Sequence, residues 1–169
     1  MKTAKHYAFK PWLIVFEPVF TTGLIGFFIW FLVKLLPLLS GVAPLFFLLF
    51  FAALGVVLYV EIKTCLVLRQ YYLEDKGKNI IISADRLTLN LSQGNKNLTI
   101  HSNEVVKVEI YDGKPWSKFQ DFNYLIIYTK NNQRVIITQF TIWSHDAILG
   151  RFLRQKPRVY FKKRFNYIN

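Results

Sequence analysis

Glu17-Pro-Val-Phe-Thr-Thr-Gly-Leu-Ile-Gly-Phe-Phe-Ile-Trp-Phe-Leu-Val-Lys34 encloses sixteen consecutive residues without a charge, and another twenty-six separate Lys34 from Glu61. After Glu61 charged residues recur regularly to the end of the 169-residue chain. A bilayer crossing needs about 20 mostly apolar residues, whereas a small soluble domain has no interior large enough for two such runs. The pattern predicts two spans, at about 12–36 and 44–62. Pro11 and Trp12 open the first, because proline is tolerated where a helix's first N–H groups have no partner. At 1.5 Å per residue, Glu17 and Lys34 lie roughly 25 Å apart along it. Each then falls near an edge of a hydrocarbon layer about 30 Å thick, from which a long side chain can reach water. Trp12 and Trp30 suit the interfacial aromatic belts. Between the spans, Pro37-Leu-Leu-Ser-Gly-Val-Ala-Pro44 supplies a turn. A cleaved leader fits poorly, since proline follows Ala43 and a second apolar run comes at once.

Lys2, Lys5 and Lys10 precede the first span, and 18 lysines and arginines follow the second against 9 acids counting Glu61. Positive charge on one side of the hairpin predicts both termini in the cytosol. The lone Cys65 makes no intrachain disulfide, in keeping with a reducing compartment. Thr22 with Gly26, and Ala52 with Gly55, have the small-residue spacing that lets helices approach, most simply within the hairpin itself.

Leu66–Leu73 either continues the second helix into the cytosol or leaves it, and Glu74–Asn79 reads as a loop, after which the period changes to two. Asn79-Ile-Ile-Ile-Ser83 is a short apolar strand, and Leu87, Leu89 and Leu91, then Leu98 and Ile100, then Val106, Val108 and Ile110 alternate with polar residues as half-buried strands do. Ser92–Lys96 carries turn chemistry, and Tyr124–Tyr128 with Arg134–Thr138 forms a hairpin around Lys130–Gln133. One helix follows, with Ser144 as N-cap, Asp146 at its positive end, and Ile148, Leu149, Phe152 and Leu153 on one face before Pro157. Such strands make a bent antiparallel sheet or partial barrel covered by the helix. The fold class is α+β membrane protein. Its parts are a basic segment and hairpin at 1–66, a sheet domain at 67–157 and a basic aromatic tail at 158–169. Residues 74–157 are expected to fold without the hairpin.

Two apolar spans followed by Ile81-Ile-Ser-Ala-Asp-Arg-Leu87, Ile100-His-Ser-Asn-Glu-Val105, Tyr124-Leu-Ile-Ile-Tyr-Thr-Lys130 and Arg134-Val-Ile-Ile137 resemble bacterial membrane proteins with pleckstrin-homology-like (PH-like) domains, especially the YcxB-like type. That family usually has a tryptophan where His101 stands here. The resemblance covers roughly residues 10–156 and implies a PH-like sheet domain at a bacterial inner membrane. It carries over no catalytic residue, and fold alone does not give function.

Signatures of catalysis and of cofactor or metal binding are absent. Ser144-His-Asp146 has the letters of a triad, but three successive residues cannot converge as a triad must. His6, His101 and His145 are scattered. Glu17 has either an interfacial structural role or an ion-relay role. Around Lys114, Trp116 and Lys118, an aromatic beside two lysines suits membrane insertion or partner contact, unless Trp116 folds back over the sheet. The basic C-terminal stretch, with Arg151, Arg154, Lys156, Arg158, Lys162, Lys163 and Arg164 and four interleaved aromatics, suits an anionic leaflet, an added strand, or a protein or RNA partner. The membrane reading is preferred, because the anchor already holds the tail near lipid, and no nucleic acid is expected. These features predict a non-catalytic, membrane-anchored module that binds a protein partner or anionic lipid headgroups. The alternatives are an accessory subunit of a transport or export complex and an enzyme with an unrecognised site.

Overall fold

The computed structural model describes residues 3–10, 12–35, 43–113, 122–142, 146–163 and 166–168. The chain divides into two compact units, Trp12–Leu68 and a second made of Met1–Pro11 with Arg69–Asn169.

In the first unit, α1 is Trp12–Leu35, and α2 begins at Ala43 and continues to Asp75. The expected turn at 37–44 falls almost entirely outside the described residues. Among the described side chains of both helices many apolar ones are exposed: Phe27, Trp30, Leu48 and Phe51 are each more than half accessible. The small residues do not mediate close contact, since a Cβ added at Gly26 or Gly55 would meet nothing within 4 Å. The helices instead border an apolar cavity of about 300 Å³ between Ile25 and Phe28 on α1 and Phe50, Leu54 and Val57 on α2.

α2 runs about 13 residues, or roughly 20 Å, beyond the expected end at 62. Its polar C-terminal part hides a helical stripe, for Thr64, Val67, Leu68, Tyr71 and Asp75 are buried at spacings of three and four. Gly77, at φ 70°, ends the helix in the left-handed conformation that glycine adopts freely.

The second unit contains β1 (Lys5–Ala8), β2 (Lys78–Ile82), β3 (Thr88–Gln93), β4 (Lys96–His101), β5 (Val105–Gly113), β6 (Tyr124–Thr129), β7 (Arg134–Thr138), α3 (Ala147–Phe152) and β8 (Arg158–Lys163). Two four-stranded sheets result, ordered β1-β2-β3-β4 and β7-β6-β5-β8. They enclose Ile80, Ile82, Leu89 and Ile100 from the first sheet and Val108, Ile110, Leu125, Ile127 and Ile137 from the second. Leu149, Phe152 and Leu153 of α3 and its C-terminal turn complete this core.

The six expected strands are present, and two more join them. β1 pairs antiparallel with β2 from Lys5↔Ile82 to Ala8↔Asn79, although α1 and the whole of α2 lie between them in sequence. β8 pairs parallel with β5 from Val108↔Arg158 to Gly113↔Lys163, so the expected tail supplies a strand of the domain. A fragment of 74–157 would lack both strands, as well as Tyr71, whose hydroxyl donates to the Asn166 carbonyl at 2.9 Å.

Two expected core residues face solvent. Leu87 lies in the β2–β3 turn and is 59% exposed, because β3 begins only at Thr88. Val106 is 49% exposed, because a bulge between Val105 and Lys107 shifts the alternation and turns Val105 inward instead. At α3 the N-cap is Asp146, whose Oδ1 accepts the Leu149 N–H at 3.1 Å and the Tyr7 hydroxyl at 2.8 Å. Ser144 and His145 lie outside the described residues, as does the side chain of Ile148.

A buried ionic cluster ties the end of α2 to both sheets. The Asp75 carboxylate, wholly inaccessible, accepts from Lys78 Nζ at 2.8 Å, Thr138 Oγ1 at 2.8 Å and Thr141 Oγ1 at 2.7 Å. Lys78 Nζ, itself 2% exposed, also donates to the Ile136 carbonyl at 2.8 Å and to Glu74 at 3.0 Å.

Candidate functional site: an arginine-lined cleft

Ser83-Ala-Asp-Arg-Leu87 turns the chain from β2 to β3. The Asp85 carboxylate accepts the Leu87 N–H at 3.0 Å and the Ser83 hydroxyl, and Ser83 Oγ accepts the Thr88 N–H at 3.0 Å. These bonds, the Leu87 N–H first and the Ser83 hydroxyl next, hold the carboxyl of Asp85 below its usual pKa, so it is charged at neutral pH. Arg86 sits at φ 63°, its N–H bonded to the Ser83 carbonyl at 2.9 Å. A left-handed conformation is unfavourable for a residue with a Cβ, and the surrounding turn holds it there.

The C-terminal end of α3 meets this turn through the connection between β4 and β5. Ser102 Oγ donates to the Phe152 carbonyl at 2.9 Å. Arg158 Nη2 donates to the carbonyls of Gly150 and Leu153 at 3.0 and 3.1 Å, satisfying acceptors that a helix end leaves open. Between these elements lies an open cleft of about 500 Å³, lined by Asp85, Arg86, Leu87, Ser102, Arg151, Arg154 and Gln155. A smaller hollow of about 210 Å³ adjoins it between Leu87, His101, Ser102 and Asn103. Among the described residues, the ion pairs are Lys78 with Glu74 and Asp75, and Lys107 with Glu109; none engages the three cleft arginines. The cleft can hold an anion by charge and by directed N–H donors.

A second polar cluster lies on the other sheet and is closed upon itself. Glu109 accepts from Lys107 at 2.7 Å, Tyr128 at 2.9 Å and Tyr111 at 3.0 Å. The Lys107 hydrogen bond, then those of Tyr128 and Tyr111, hold its carboxyl below the usual range against the opposing effect of burial. Burial first, and Glu109 second, push the Tyr111 phenol up to about 12. Tyr111 also stacks between Tyr124 and Phe161, with ring centroids 4.5 and 4.7 Å away. With its donors committed to one carboxylate, this cluster reads as packing of β8 onto the sheet.

The contact residues expected from sequence are placed only in part. Lys114, Trp116, Lys118 and Arg164 lie outside the described residues. Lys162 is exposed on β8, Lys163 ends that strand, and Arg158 is engaged with α3. Glu17 lies within α1, and its side chain is not described; His6 and His101 are exposed on separate strands. No group of three or more His, Cys, Asp or Glu suited to a metal occurs among the described residues. The sequence reading passed over the cleft. One signal was available, because Arg151 and Arg154 are three apart, a spacing that shares a face in the helix expected up to Pro157, although α3 ends at Phe152 and Arg154 lies in the turn after it. Their meeting with Arg86 is a long-range event that spacing does not encode.

A PH-domain family model matches residues 6–148. The match therefore runs from β1 across both long helices into α3, and it stops before Arg151, Arg154 and β8. Neither the curated proteins nor the solved structures contain a match.

Proposed function

The chain belongs to this PH-domain family, and from that premise we propose that it is a non-catalytic binding module anchored by a two-span hairpin, with both termini cytosolic. The membrane is a bacterial inner membrane, following the sequence resemblance. PH-like domains generally bind proteins or lipids, and the same work is assigned to the domain here. The observation that favours a hairpin over a single span is the β1–β2 pairing. Residues on either side of the helical insert lie in one sheet, so an insert that enters a bilayer must leave on the side it entered. The number of crossings is then even.

Within α2, Leu48–Asp75 is long and apolar enough to cross, its most apolar 18-residue window having mean hydropathy 2.0. It is the one such helix among the described residues, and α1 adds a shorter described apolar stretch, Thr21–Lys34. By itself one apolar helix is weak support, since a soluble core helix can have the same length and composition. Here only 17% of the most apolar window is buried, unlike a core helix, and the return crossing falls to the 24 residues of α1. Those 24 residues are about 36 Å long, enough for the hydrocarbon layer. The basic residues flanking the hairpin support a cytosolic open end. Lys162, Lys163 and Arg164, with Lys114, Trp116 and Lys118, are the surface assigned to lipid or partner contact.

Reporter fusions after Asn169 and within 40–42 test the topology. Opposite compartments, with the C-terminal reporter in the cytosol, are expected. Both reporters in one compartment would remove the hairpin.

A further inference from the structure

We propose that the cleft between the β2–β3 turn and the end of α3 binds a phosphate-bearing anion, with Arg86, Arg151 and Arg154 as its ligands. The inference rests on the reading of the domain as a binding module and names a site and a ligand class for it.

Three guanidinium groups from distant parts of the sequence line one cleft and have no carboxylate ion-pair partner among the described residues. The carboxylate beside them, Asp85, is committed to the turn through Leu87 and Ser83. It fixes the position of Arg86 and still leaves the cleft with net positive charge. Gathering like charges works against folding, and a bound anion removes that cost. Arginine favours phosphate over a simple halide, because its planar fork of N–H donors matches phosphate oxygens two at a time. Arg158 covers the carbonyls of Gly150 and Leu153, which would otherwise present partial negative charge at the helix end.

The dimensions set the size of the ligand. A volume of about 500 Å³ is in the range of small-molecule sites and exceeds what one phosphate fills. The adjoining hollow, with the Leu87 side chain and the Asn103 amide, can receive the organic part of a phosphomonoester. The cleft lies at the Ile82–Thr88 end of the first sheet. Phosphate could come from a soluble phosphorylated compound or from a lipid headgroup of the same chemistry.

The test uses the full chain in nanodiscs. In neutral phosphatidylcholine discs, inorganic pyrophosphate is titrated by calorimetry; in a second set, phosphatidic acid is added to the bilayer and binding is read from arginine side-chain NMR shifts. Saturable binding is expected in at least one arm, with the arm identifying the source. Arg151→Gln with Arg154→Gln should weaken it at least tenfold, and Arg86→Gln at least threefold. Arg154→Lys should be intermediate, and unchanged melting temperatures would show that the variants fold. A Lys162→Ala, Lys163→Ala and Arg164→Ala variant should bind pyrophosphate within twofold of the parent. No saturable binding in either arm, equal binding by the glutamine variants, or tighter binding of an acidic peptide than of pyrophosphate would overturn the site. None of these results bears on the hairpin, which the reporter fusions test separately.

Discussion

Replacing Asp75 with alanine should open the sheet domain where α2 enters it. Asp75 is fully buried and accepts hydrogen bonds from Lys78, Thr138 and Thr141 at 2.8 Å or less. The variant leaves the Lys78 ammonium, 2% exposed, with the Ile136 carbonyl and the more accessible Glu74 as partners. Breaking a buried ion pair by removing one partner costs about 3–5 kcal/mol. Glu74 offsets part of that, while two hydroxyls left without their acceptor add to it. A loss of about 3 kcal/mol is the expected result, a large share of the roughly 5–15 kcal/mol that holds a domain folded. At about 1.36 kcal/mol per tenfold change, amide protection should fall more than 100-fold. Hydrogen-exchange mass spectrometry of the full chain in mild detergent reads this in peptides covering β2 and β7. The double variant Asp75→Leu with Lys78→Met should lose less than Asp75→Ala, because neither charge is stranded in the interior. Protection within threefold of the parent for Asp75→Ala would refute the reasoning, as would a double variant more damaged than the single one.

Two further outcomes follow from the same contacts. Tyr7→Phe removes the 2.8 Å bond from β1 to the α3 cap at Asp146 and should cost about 1–2 kcal/mol. The loss should appear as a lower melting temperature and faster exchange in β2, and unchanged exchange would mean that β1 is held by its ladder alone. Glu109 has a folded pKa below its unfolded value near 4.3, so the stability it supplies is complete above that value and is lost as pH falls through the folded pKa. Between pH 6 and pH 3 the parent should therefore lose more stability than Glu109→Gln, and parallel melting curves would count against this assignment.

The apolar runs ending at Lys34 and Glu61 and the alternating strands were legible in the sequence, because burial on one face imposes a local period. The helix from 63 to 75 was legible only as one of two readings of Leu66–Leu73, since its stripe of Thr64, Val67, Leu68, Tyr71 and Asp75 mixes polar with apolar residues. Asp75 and Lys78 read locally as an exposed loop, and their burial depends on Thr138, Thr141 and the Ile136 carbonyl some sixty residues away. Strand β1 was hidden for a similar reason. Four residues, Lys-His-Tyr-Ala, are too few for a periodic signal, and their partner lies beyond the entire hairpin. The basic segment at 158–163 revealed its charge but not its pairing, because a parallel strand is chosen by the edge that β5 leaves open. The arginine cleft belongs to the same class. Sequence grouped Arg151 and Arg154 with the basic tail and left Arg86 apart from them, and only the packing of α3 against the β2–β3 turn placed all three around one space. Local periodicity therefore determined the elements, while long-range hydrogen bonding and packing decided which charges are buried and which converge.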